Sequence, residues 1–479
     1  MGLHERIAQI IEGKRERLIE VSNCIWSYAE TGFQEHKSAA LLCDILEKEG
    51  FTVERGAGGI ETAFVASFGS GRPVAAILGE FDALSGLSQK GGLDRPEALV
   101  MGAGGHGCGH NLLGTGALAA AIAVRYYMEE NRLPGTIRYY GCPGEEIGGG
   151  KTFMVRAGLF DDVDFALTWH PGTRNRVRSE RSLACLEAHF RFTGKSAHAA
   201  ASPHLGRSAL DAVELMNIGV NYLREHIIPE ARVHYAITNT GGFAPNVVQA
   251  EAEVLYYIRA PRVSQAREIY ERVCDIARGA ALMTGTEVHI DLDAALFDLI
   301  PNRTLETVLQ RHYEAFGAPV FDEEERAFAR RIQATLSQAE IDFDTGKAPA
   351  LKGKVLSDVV EPLPEREAFL FASTDVGDVS WVVPTAQISA ATFAVGTPLH
   401  TWQVVSQGAT SVGHKGMLHA GKVLAAAAIE GMQNPQLIDQ AKAELAERLN
   451  GERYVSPLPE DLKCYRVRTY PQYAGGGWQ

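Results

Sequence analysis

Apolar segments typical of β-strands alternate with helical patterns in the first third of the chain, and this alternation limits the fold more than any other feature. The segments TAFVASF, PVAAILGEFDAL and TIRYYGCPGEE have strand patterns, and a long alanine-rich helical pattern follows Asn111. Strands that alternate with helices form sheets of largely parallel strands with helices on their faces. The sequence therefore predicts an α/β fold with a mixed, mostly parallel sheet flanked by helices.

Polar residues stand where these predicted strands end. They are Glu80, Asp82, Glu145, Glu146 and His170. In open α/β sheets, ligands bind outside the carboxyl ends of the parallel strands. We therefore expect these side chains to gather along one edge of the sheet and to form the functional site there.

The sequence pattern changes after Leu183. An alternating strand, LEAHFRFTG, is followed by a helical stretch from about Ser208 to Glu225, strands in ARVHYAITNT and VVQAEAEVLYYIRA, and a helix through VCDIARGAALMTG. Strand-rich stretches that enclose helices in this way indicate a separate small α+β domain. The expected boundaries are a larger domain formed by residues 1–182 and 300–450, a smaller domain inserted at 183–299, a surface excursion at 320–370, and a C-terminal tail at 451–479.

Charge and cysteine usage exclude several classes of protein. The formal net charge of −13, with no basic stripe, argues against a nucleic-acid partner. The chain has neither the apolar region of a signal peptide nor an apolar window long enough to span a membrane. Seven cysteines, an odd and scattered set, do not indicate a disulfide framework. The sequence therefore predicts a cytoplasmic protein without nucleic-acid or membrane partners.

The glycine-rich run GAGGHGCGHNLLGTG, residues 102–116, is the most informative local motif. A dinucleotide loop needs G-x-G-x-x-G directly after a strand, whereas this run places His106, Cys108 and His110 among its glycines. A thiolate and an imidazole two residues apart can bind one divalent ion, and the flanking glycines allow the bend. Metal binding is the favoured interpretation, with a phosphate loop or an ordinary flexible turn as the alternatives.

Further candidate ligands stand in GCPGEEIGGG, DFALTWHPG and AVGTPLHTWQ. Adjacent side chains point in different directions, so Glu146 can bind metal while Glu145 faces the substrate as a general base. His170 and His400 are each, taken alone, more commonly structural than metal-binding. Thiolate, imidazole and carboxylate together could hold two first-row ions, which would bring the pKa of a bridging water toward neutrality. Hydrolysis is the chemistry that this combination predicts.

Six motifs in the same order, GEFDAL, GHGCGHN, CPGEEIGGGKTFM, TWHP, GKSAHAA and GTPLH, resemble those of the dinuclear metallo-amidohydrolases. That family includes aminoacylases, hippurate hydrolases, auxin-conjugate hydrolases and glutamate carboxypeptidases, and the resemblance covers roughly residues 5–430. It implies a zinc-exopeptidase-like catalytic domain with an inserted lid or dimerisation domain. It also implies a metal-dependent enzyme that cleaves the amide bond of N-acyl amino acids.

Within the family, stretches such as HLGRSALDAV, PNRTLE and STDVGDVSW most resemble the aminobenzoyl-glutamate hydrolases. The expected substrate is accordingly N-(4-aminobenzoyl)-glutamate, which would give 4-aminobenzoate and glutamate. The alternatives are a hydrolase of another N-acyl or indoleacetyl amino acid, a subunit that is active only in a heteromer, and a nucleotide-binding α/β protein.

The resemblance implies roles for individual residues of the larger domain. Two divalent ions per subunit, Mn²⁺ or Zn²⁺, are expected, and their implied ligands are Cys108, His110, Glu146, His170 and His400. Glu145 matches the general base, and Asp82 matches a carboxylate that orients a metal ligand. Glu80 departs from the family pattern, which usually has histidine or aspartate there, so its role is left open.

The resemblance also implies roles for the inserted domain. His198 matches a histidine that reaches a partner subunit's active site and stabilises the oxyanion, which implies a homodimer formed through this domain. Asn246 and Arg259 match positions that hold the substrate carbonyl and carboxylate. A heteromer with a related A subunit is the alternative assembly. The segment STDVGDVSW replaces a usual Glu-Asp-Phe motif, which leaves the roles of Asp375 and Asp378 open.

Overall fold

The computed structural model describes residues 2–460, 462 and 463, so most of the expected tail at 451–479 lies outside the described residues. The chain forms two compact units. The large unit comprises the chain up to Glu180, Ile300–Phe369 and Asp378–Tyr454, and the small unit comprises Arg181–Leu299, Leu370–Gly377 and the described residues that follow Tyr454. The segment STDVGDVSW is therefore divided between the units after Gly377.

The strands and helices are bounded as follows. The strands are β1 (Thr52–Arg55), β2 (Phe64–Ser70), β3 (Val74–Glu80), β4 (Gly135–Cys142), β5 (Phe165–Gly172), β6 (Arg176–Val177), β7 (Glu180–Ser182), β8 (Ala184–Thr193), β9 (Arg232–Asn239), β10 (Glu251–Ala260), β11 (Glu287–Leu296), β12 (Ala368–Leu370) and β13 (Thr385–Ala391). The helices are α1 (Leu3–Gly13), α2 (Arg15–Tyr28), α3 (His36–Lys48), α4 (His110–Asn131), α5 (Gly150–Arg156), α6 (Ala209–Leu223), α7 (Val263–Thr284), α8 (Arg303–Phe316), α9 (Glu323–Gln333), α10 (Gln338–Lys347), α11 (Val376–Ser380), α12 (Trp402–Gln407), α13 (Ser411–Gln433) and α14 (Pro435–Leu449). In the described part of the chain, no helix is both long enough and apolar enough to cross a membrane.

A mixed sheet forms the centre of the large unit, with the strand order β1-β2-β4-β3-β5-β13-β6. The four central strands, β4, β3, β5 and β13, run parallel, and the outer pairs are antiparallel. Every residue of β3 and β13 is buried, as expected for strands covered on both faces. The predicted α/β class is thus confirmed, and the alanine-rich helices α4 and α13 belong to its buried core.

An antiparallel sheet, in the order β11-β8-β10-β9, forms the small unit together with α6 and α7. Alternate residues of β10 are buried, and Tyr256 among them donates a hydrogen bond from its hydroxyl to Asn217 of α6, at 2.5 Å. Period-two alternation of this kind is typical of a sheet with only one face packed on helices. The intervening residues Tyr257 and Arg259 consequently lie on the opposite face.

The expected surface excursion at 320–370 is more ordered than its charged composition predicts. It contains α9 and α10, which begin with capping boxes at Asp322 and Ser337. The Gln333 side-chain amide donates to the Val395 carbonyl at 2.9 Å, and the Gly396 N–H donates to Asp344 Oδ2 at 2.9 Å. These two helices therefore hold the turn that precedes His400.

Candidate metal centre

The polar ends of three neighbouring parallel strands form the floor of the site. Strand β3 ends at Glu80, and β4 is followed by the turn that carries Glu145 and Glu146. His170 lies near the end of β5, the other neighbour of β3. These side chains are close because adjacent parallel strands bring their carboxyl ends to one sheet edge.

The glycine-rich run brings Cys108 and His110 to the same place at the start of α4. Gly109 has a φ of 81°, and a Cβ there would lie 3.0 Å from the Phe393 ring. Glycine is therefore required between the two candidate ligands.

The cluster contains three sets of possible ligands, and within each set the ligand atoms lie within 4.8 Å of one another. They are Cys108 with His110 and His170, Cys108 with Glu146 and His400, and Glu80 with His110 and Glu145. All five ligands expected from the resemblance, and Glu145 with them, are therefore gathered in one cluster of the large unit. Cys108 and His110 each belong to two of the sets, so these two residues connect the three sets.

Two buried atoms of the cluster have no hydrogen-bond partner among the described residues. They are His110 Nε2 and Glu146 Oε1, which lie 3.9 Å apart. Buried polar atoms are nearly always paired, and each exception needs an explanation. A cation between a carboxylate oxygen and an imidazole nitrogen would satisfy both atoms, so the residues present fit a metal ion.

Asp82 orients two of the candidate ligands at once. Its Oδ1 lies 2.8 Å from His110 Nδ1, and its Oδ2 accepts the Glu146 backbone N–H at 2.9 Å. The first contact favours the tautomer of His110 that keeps its Nε2 lone pair for a metal. These are the contacts expected of a carboxylate that orients ligands.

His170 and His400 supply two further imidazoles to the cluster. His170 Nδ1 lies 2.7 Å from the Pro171 carbonyl, and its Nε2 lies 3.3 Å from Cys108 Sγ. Burial lowers the pKa of His170 to about 3, which keeps the ring neutral as a ligand must be. His400 has a φ of 61°, an uncommon value for a residue other than glycine, and its Nε2 lies 3.4 Å from Glu146 Oε2.

Glu80, whose role the sequence left open, is part of the cluster. Its Oε2 lies 3.3 Å from His110 Nε2, and its Oε1 accepts from Lys151 Nζ at 2.7 Å. Burial alone would raise the pKa of Glu80, but Lys151 and the two nearby imidazoles lower it to about 2. Lys151 was missed by sequence reasoning, although a lysine within the apolar stretch KTFMV needs an acidic partner if it is buried.

Negative charge accumulates in this cluster. Burial raises the pKa of the Cys108 thiol to about 12 and the pKa of Glu146 to about 7. Cations beside these groups would lower both values, because a nearby positive charge favours the ionised forms.

The expected residues of the small unit lie at two different places. His198 is exposed, and its Nδ1 accepts the backbone N–H groups of Ala200 and Ala201 at 3.2 and 3.1 Å. Asn246 lies beside it, since its carbonyl accepts the Ala199 N–H at 2.9 Å. Arg259 lies near the other end of β10, where it donates to Ser373 Oγ at 2.7 Å.

The two aspartates whose roles the sequence left open are both buried. Asp375 belongs to the small unit. Asp378 belongs to the large unit, where its Oδ1 accepts a hydrogen bond from the Tyr454 hydroxyl at 2.8 Å. Neither residue belongs to any of the three ligand sets found among the described residues.

Comparison with known proteins gives matches over most of the chain. The sequence profile described as Peptidase family M20/M25/M40 matches residues 76–305. The B subunit of the p-aminobenzoyl-glutamate hydrolase of Escherichia coli is 51% identical over 472 residues, which cover 96% of this chain and 98% of that protein. The Xaa-Arg dipeptidase of Mus musculus is 29% identical over 470 residues, which cover 95% of this chain and 94% of that protein.

A similar solved structure is that of a dinuclear metal binding peptidase of the M20 family from Bacillus subtilis. It superposes with a TM-score of 0.55 at 16% sequence identity, and the match covers 88% of this chain and 99% of that chain. At this level of identity the likeness concerns the fold.

Proposed function

Because the chain belongs to the peptidase family M20/M25/M40, we propose that it is a metal-dependent amidohydrolase that cleaves N-(4-aminobenzoyl)-glutamate into 4-aminobenzoate and glutamate. The observation that carries the proposal is the convergence of Cys108, His110, Glu146, His170 and His400 in one cluster. Two buried atoms of this cluster, on His110 and Glu146, lack a hydrogen bond. The substrate is supported by the relative with 51% identity, which is named for it.

The charge of the cluster supports two divalent cations, held by the five ligands with Cys108 shared. When ionised, Glu80, Asp82, Glu145, Glu146 and Cys108 carry five negative charges, and Lys151 offsets one of them. Two divalent ions would neutralise the remaining four. The thiolate and imidazoles suit Zn²⁺ and the carboxylates suit Mn²⁺, so both metals remain candidates.

The chemistry that the cations would supply when bound is polarisation of the scissile carbonyl and a lower pKa for the attacking water. Glu145 would accept the proton that this water loses as its oxygen bonds to the carbonyl carbon. The same carboxyl would then return the proton to the nitrogen as the C–N bond breaks. Glu146 and Asp82 hold this turn in place through the Asp82 hydrogen bond to the Glu146 N–H.

His198 is suited to stabilise the oxyanion of this reaction. Because its Nδ1 accepts two backbone N–H groups, the proton of the neutral ring is carried on Nε2. That N–H can donate to a developing negative charge. Arg259, steadied by Ser373, would bind a substrate carboxylate through its guanidinium fork.

The positions of Asn246 and Arg259 support a dimer. The strand between them rises by about 3.3 Å per residue, so Glu251 and Arg259 are about 26 Å apart. An N-acyl amino acid is only a few extended residues long, at about 3.5 Å each. One substrate molecule cannot contact both ends, so each small unit would serve two active sites.

A surface of the small unit supports the same homodimer. Strand β9 is an edge strand, and Tyr235 and Ile237 on it are 40% and 39% exposed. Tyr222 of α6 is 73% exposed. Edge strands with apolar side chains pair readily with another chain. A heteromer with a related A subunit is the second arrangement, since the 51% identical relative is itself named as the B subunit of its enzyme.

The thiol ligand also bears on the compartment. Cys108 can bind metal only while it is reduced, and none of the described cysteines forms a disulfide. Reduced thiols persist in the cytoplasm. We therefore place the enzyme there.

Changing His198 to Ala is expected to lower kcat by about a hundredfold, because the oxyanion loses a preorganised donor. If the sites are shared between subunits, mixing this variant with Glu145→Gln should restore activity in mixed dimers that contain one intact site. The rate of 4-aminobenzoate release is the measurement. A mixture no more active than its two parts would contradict the shared site. His204→Ala, in the same unit, is the control and should keep full activity.

The substrate is tested by assaying amine release from a panel with Mn²⁺ or Zn²⁺ added. The panel contains N-(4-aminobenzoyl)-glutamate, indoleacetyl-aspartate and Xaa-Arg dipeptides, the last because of the murine relative. We expect the highest kcat/KM for N-(4-aminobenzoyl)-glutamate. A preference for Xaa-Arg would replace the proposed substrate, and activity that requires a related A subunit would establish the heteromer instead.

A further inference from the structure

The loop between α2 and α3, residues 29–35, contacts the turn that carries Glu145 and Glu146. That turn is rich in glycine, with the sequence GCPGEEIGGG, so its own side chains constrain it little. A general base must nevertheless be held close to its working position. The contacts that hold the turn are therefore of functional interest.

Glu35 makes the principal contact. Its side chain is fully buried, and its Oε1 accepts the backbone N–H of Gly144 at 2.8 Å. Its Oε2 accepts the Thr62 hydroxyl at 3.0 Å. A buried carboxyl is costly unless it is hydrogen-bonded. The Gly144 N–H that it accepts belongs to the residue directly before Glu145.

Apolar contacts from the same loop reinforce this hydrogen bond. Phe33 has a φ of 60°, which is unusual for an aromatic residue, and its ring lies so close to the turn that a Cβ on Gly144 would be 2.7 Å from it. A Cβ on Gly32 would be 2.4 Å from Ile147. The left-handed backbone conformation of Phe33 is strained, and it places the ring in contact with the turn.

The loop is also tied to the segment that carries Asp82. The Ala83 N–H donates to the Glu30 carbonyl at 2.8 Å, and Thr31 forms a bridge with Ala83. One loop therefore contacts both the turn of the general base and the segment of the orienting carboxylate. Since none of its residues belongs to the ligand sets found among the described residues, its effect on them is indirect.

We infer that Glu35 is a positioning residue, which fixes the turn of Glu145 and Glu146 through its hydrogen bond to the Gly144 N–H. This inference rests on the proposed function for the roles of those two glutamates. In this role, Glu35 fixes the position of Glu145 and Glu146 and does not contact the substrate. The essential property of the side chain is an acceptor oxygen at this position.

The variants Glu35→Gln and Glu35→Leu test the inference, because the first keeps an acceptor oxygen and the second does not. In Glu35→Leu, we expect amide hydrogen exchange in residues 144–149 to quicken by about fivefold or more, as for a lost hydrogen bond. We expect kcat to fall by about 10- to 100-fold, as for other residues that orient ligands, with KM changed far less. Glu35→Gln should stay within about threefold of the parent in both measurements.

Glu30 offers a matched control in the same loop. Its side chain accepts the N–H groups of Lys37 and Ser38 at the start of α3. Glu30→Leu should therefore change stability without altering exchange in residues 144–149. If Glu35→Leu does not fold, Thr62→Val removes one partner of the same carboxyl and should shift exchange in the same direction, by a smaller amount.

Unchanged exchange and unchanged kcat in Glu35→Leu would overturn the inference, and so would a Glu35→Gln variant as impaired as Glu35→Leu. Titration of each variant with Mn²⁺ alone supplies a readout without turnover, and weaker binding in Glu35→Leu only is the expected result. Hydrogen exchange is measured without metal or substrate, so unchanged exchange in Glu35→Leu counts against the role of Glu35 alone. A failure of the proposed function would appear instead as the absence of hydrolysis in the substrate panel.

Discussion

Replacing Glu145 by Gln is expected to lower kcat by about 10²- to 10⁴-fold while the metal stays bound. Gln has the same shape as Glu but cannot accept and return the proton of the reaction. Glu145 contributes an oxygen to the cluster beside Glu80 and His110, whereas Glu146 lies against Cys108 and His400. The base and the ligand are therefore separable by mutation. The measurements are kcat for N-(4-aminobenzoyl)-glutamate and the metal content of the purified variant.

Glu61→Gln is the matched control for this variant. The Glu61 side chain is 84% exposed and lies outside the cluster, so the same change of charge should leave kcat unaffected. Full activity of Glu145→Gln would remove the assigned base. Loss of metal together with activity would show instead that Glu145 acts as a ligand.

Replacing Cys108 by Ala is expected to abolish turnover, by more than about a thousandfold, because it removes the thiol, which belongs to two of the three ligand sets. Metal ions supply several kcal/mol of transition-state stabilisation, and each 1.36 kcal/mol corresponds to a factor of about ten. We expect both cations to be lost or greatly weakened. Activity is measured at a fixed concentration of Mn²⁺ or Zn²⁺, and metal affinity by calorimetric titration.

Cys43→Ala is the control for the loss of a buried cysteine. Cys43 lies in α3 within the apolar core of the large unit and is not a member of any ligand set. It should cost some stability and leave metal affinity unchanged. A Cys108→Ala variant that retained metal and turnover would exclude the thiol as a ligand.

Much of the candidate site could be predicted because its residues stand at strand ends. Glu80 ends β3, Glu146 follows β4, and His170 lies near the end of β5. A parallel sheet brings those ends together whatever the details of packing. Cys108 and His400 needed the family motifs as well, since each stands in an irregular loop. Their convergence follows from tertiary structure that no local pattern specifies.

The supporting contacts were not predictable, because they join segments far apart in the chain. Lys151 and Glu80 are 71 residues apart, and Glu35 and Gly144 are 109 apart. The sequence does not distinguish a buried lysine or glutamate from a solvent-exposed one. Its hydrogen-bond partner can be identified only from the tertiary structure. The helices α9 and α10 were not predicted either, although their capping boxes, DEEE and SQAE, are a sequence signal for the start of a helix.

The proposed function requires the cluster around Cys108 to hold two divalent cations. Elemental analysis of the purified chain, after titration with Mn²⁺ or Zn²⁺ and removal of free metal, tests this most directly. We expect two ions per chain, and weaker binding of both in Cys108→Ala. A chain that binds no divalent ion, or binds a single ion that Cys108→Ala leaves in place, would contradict it.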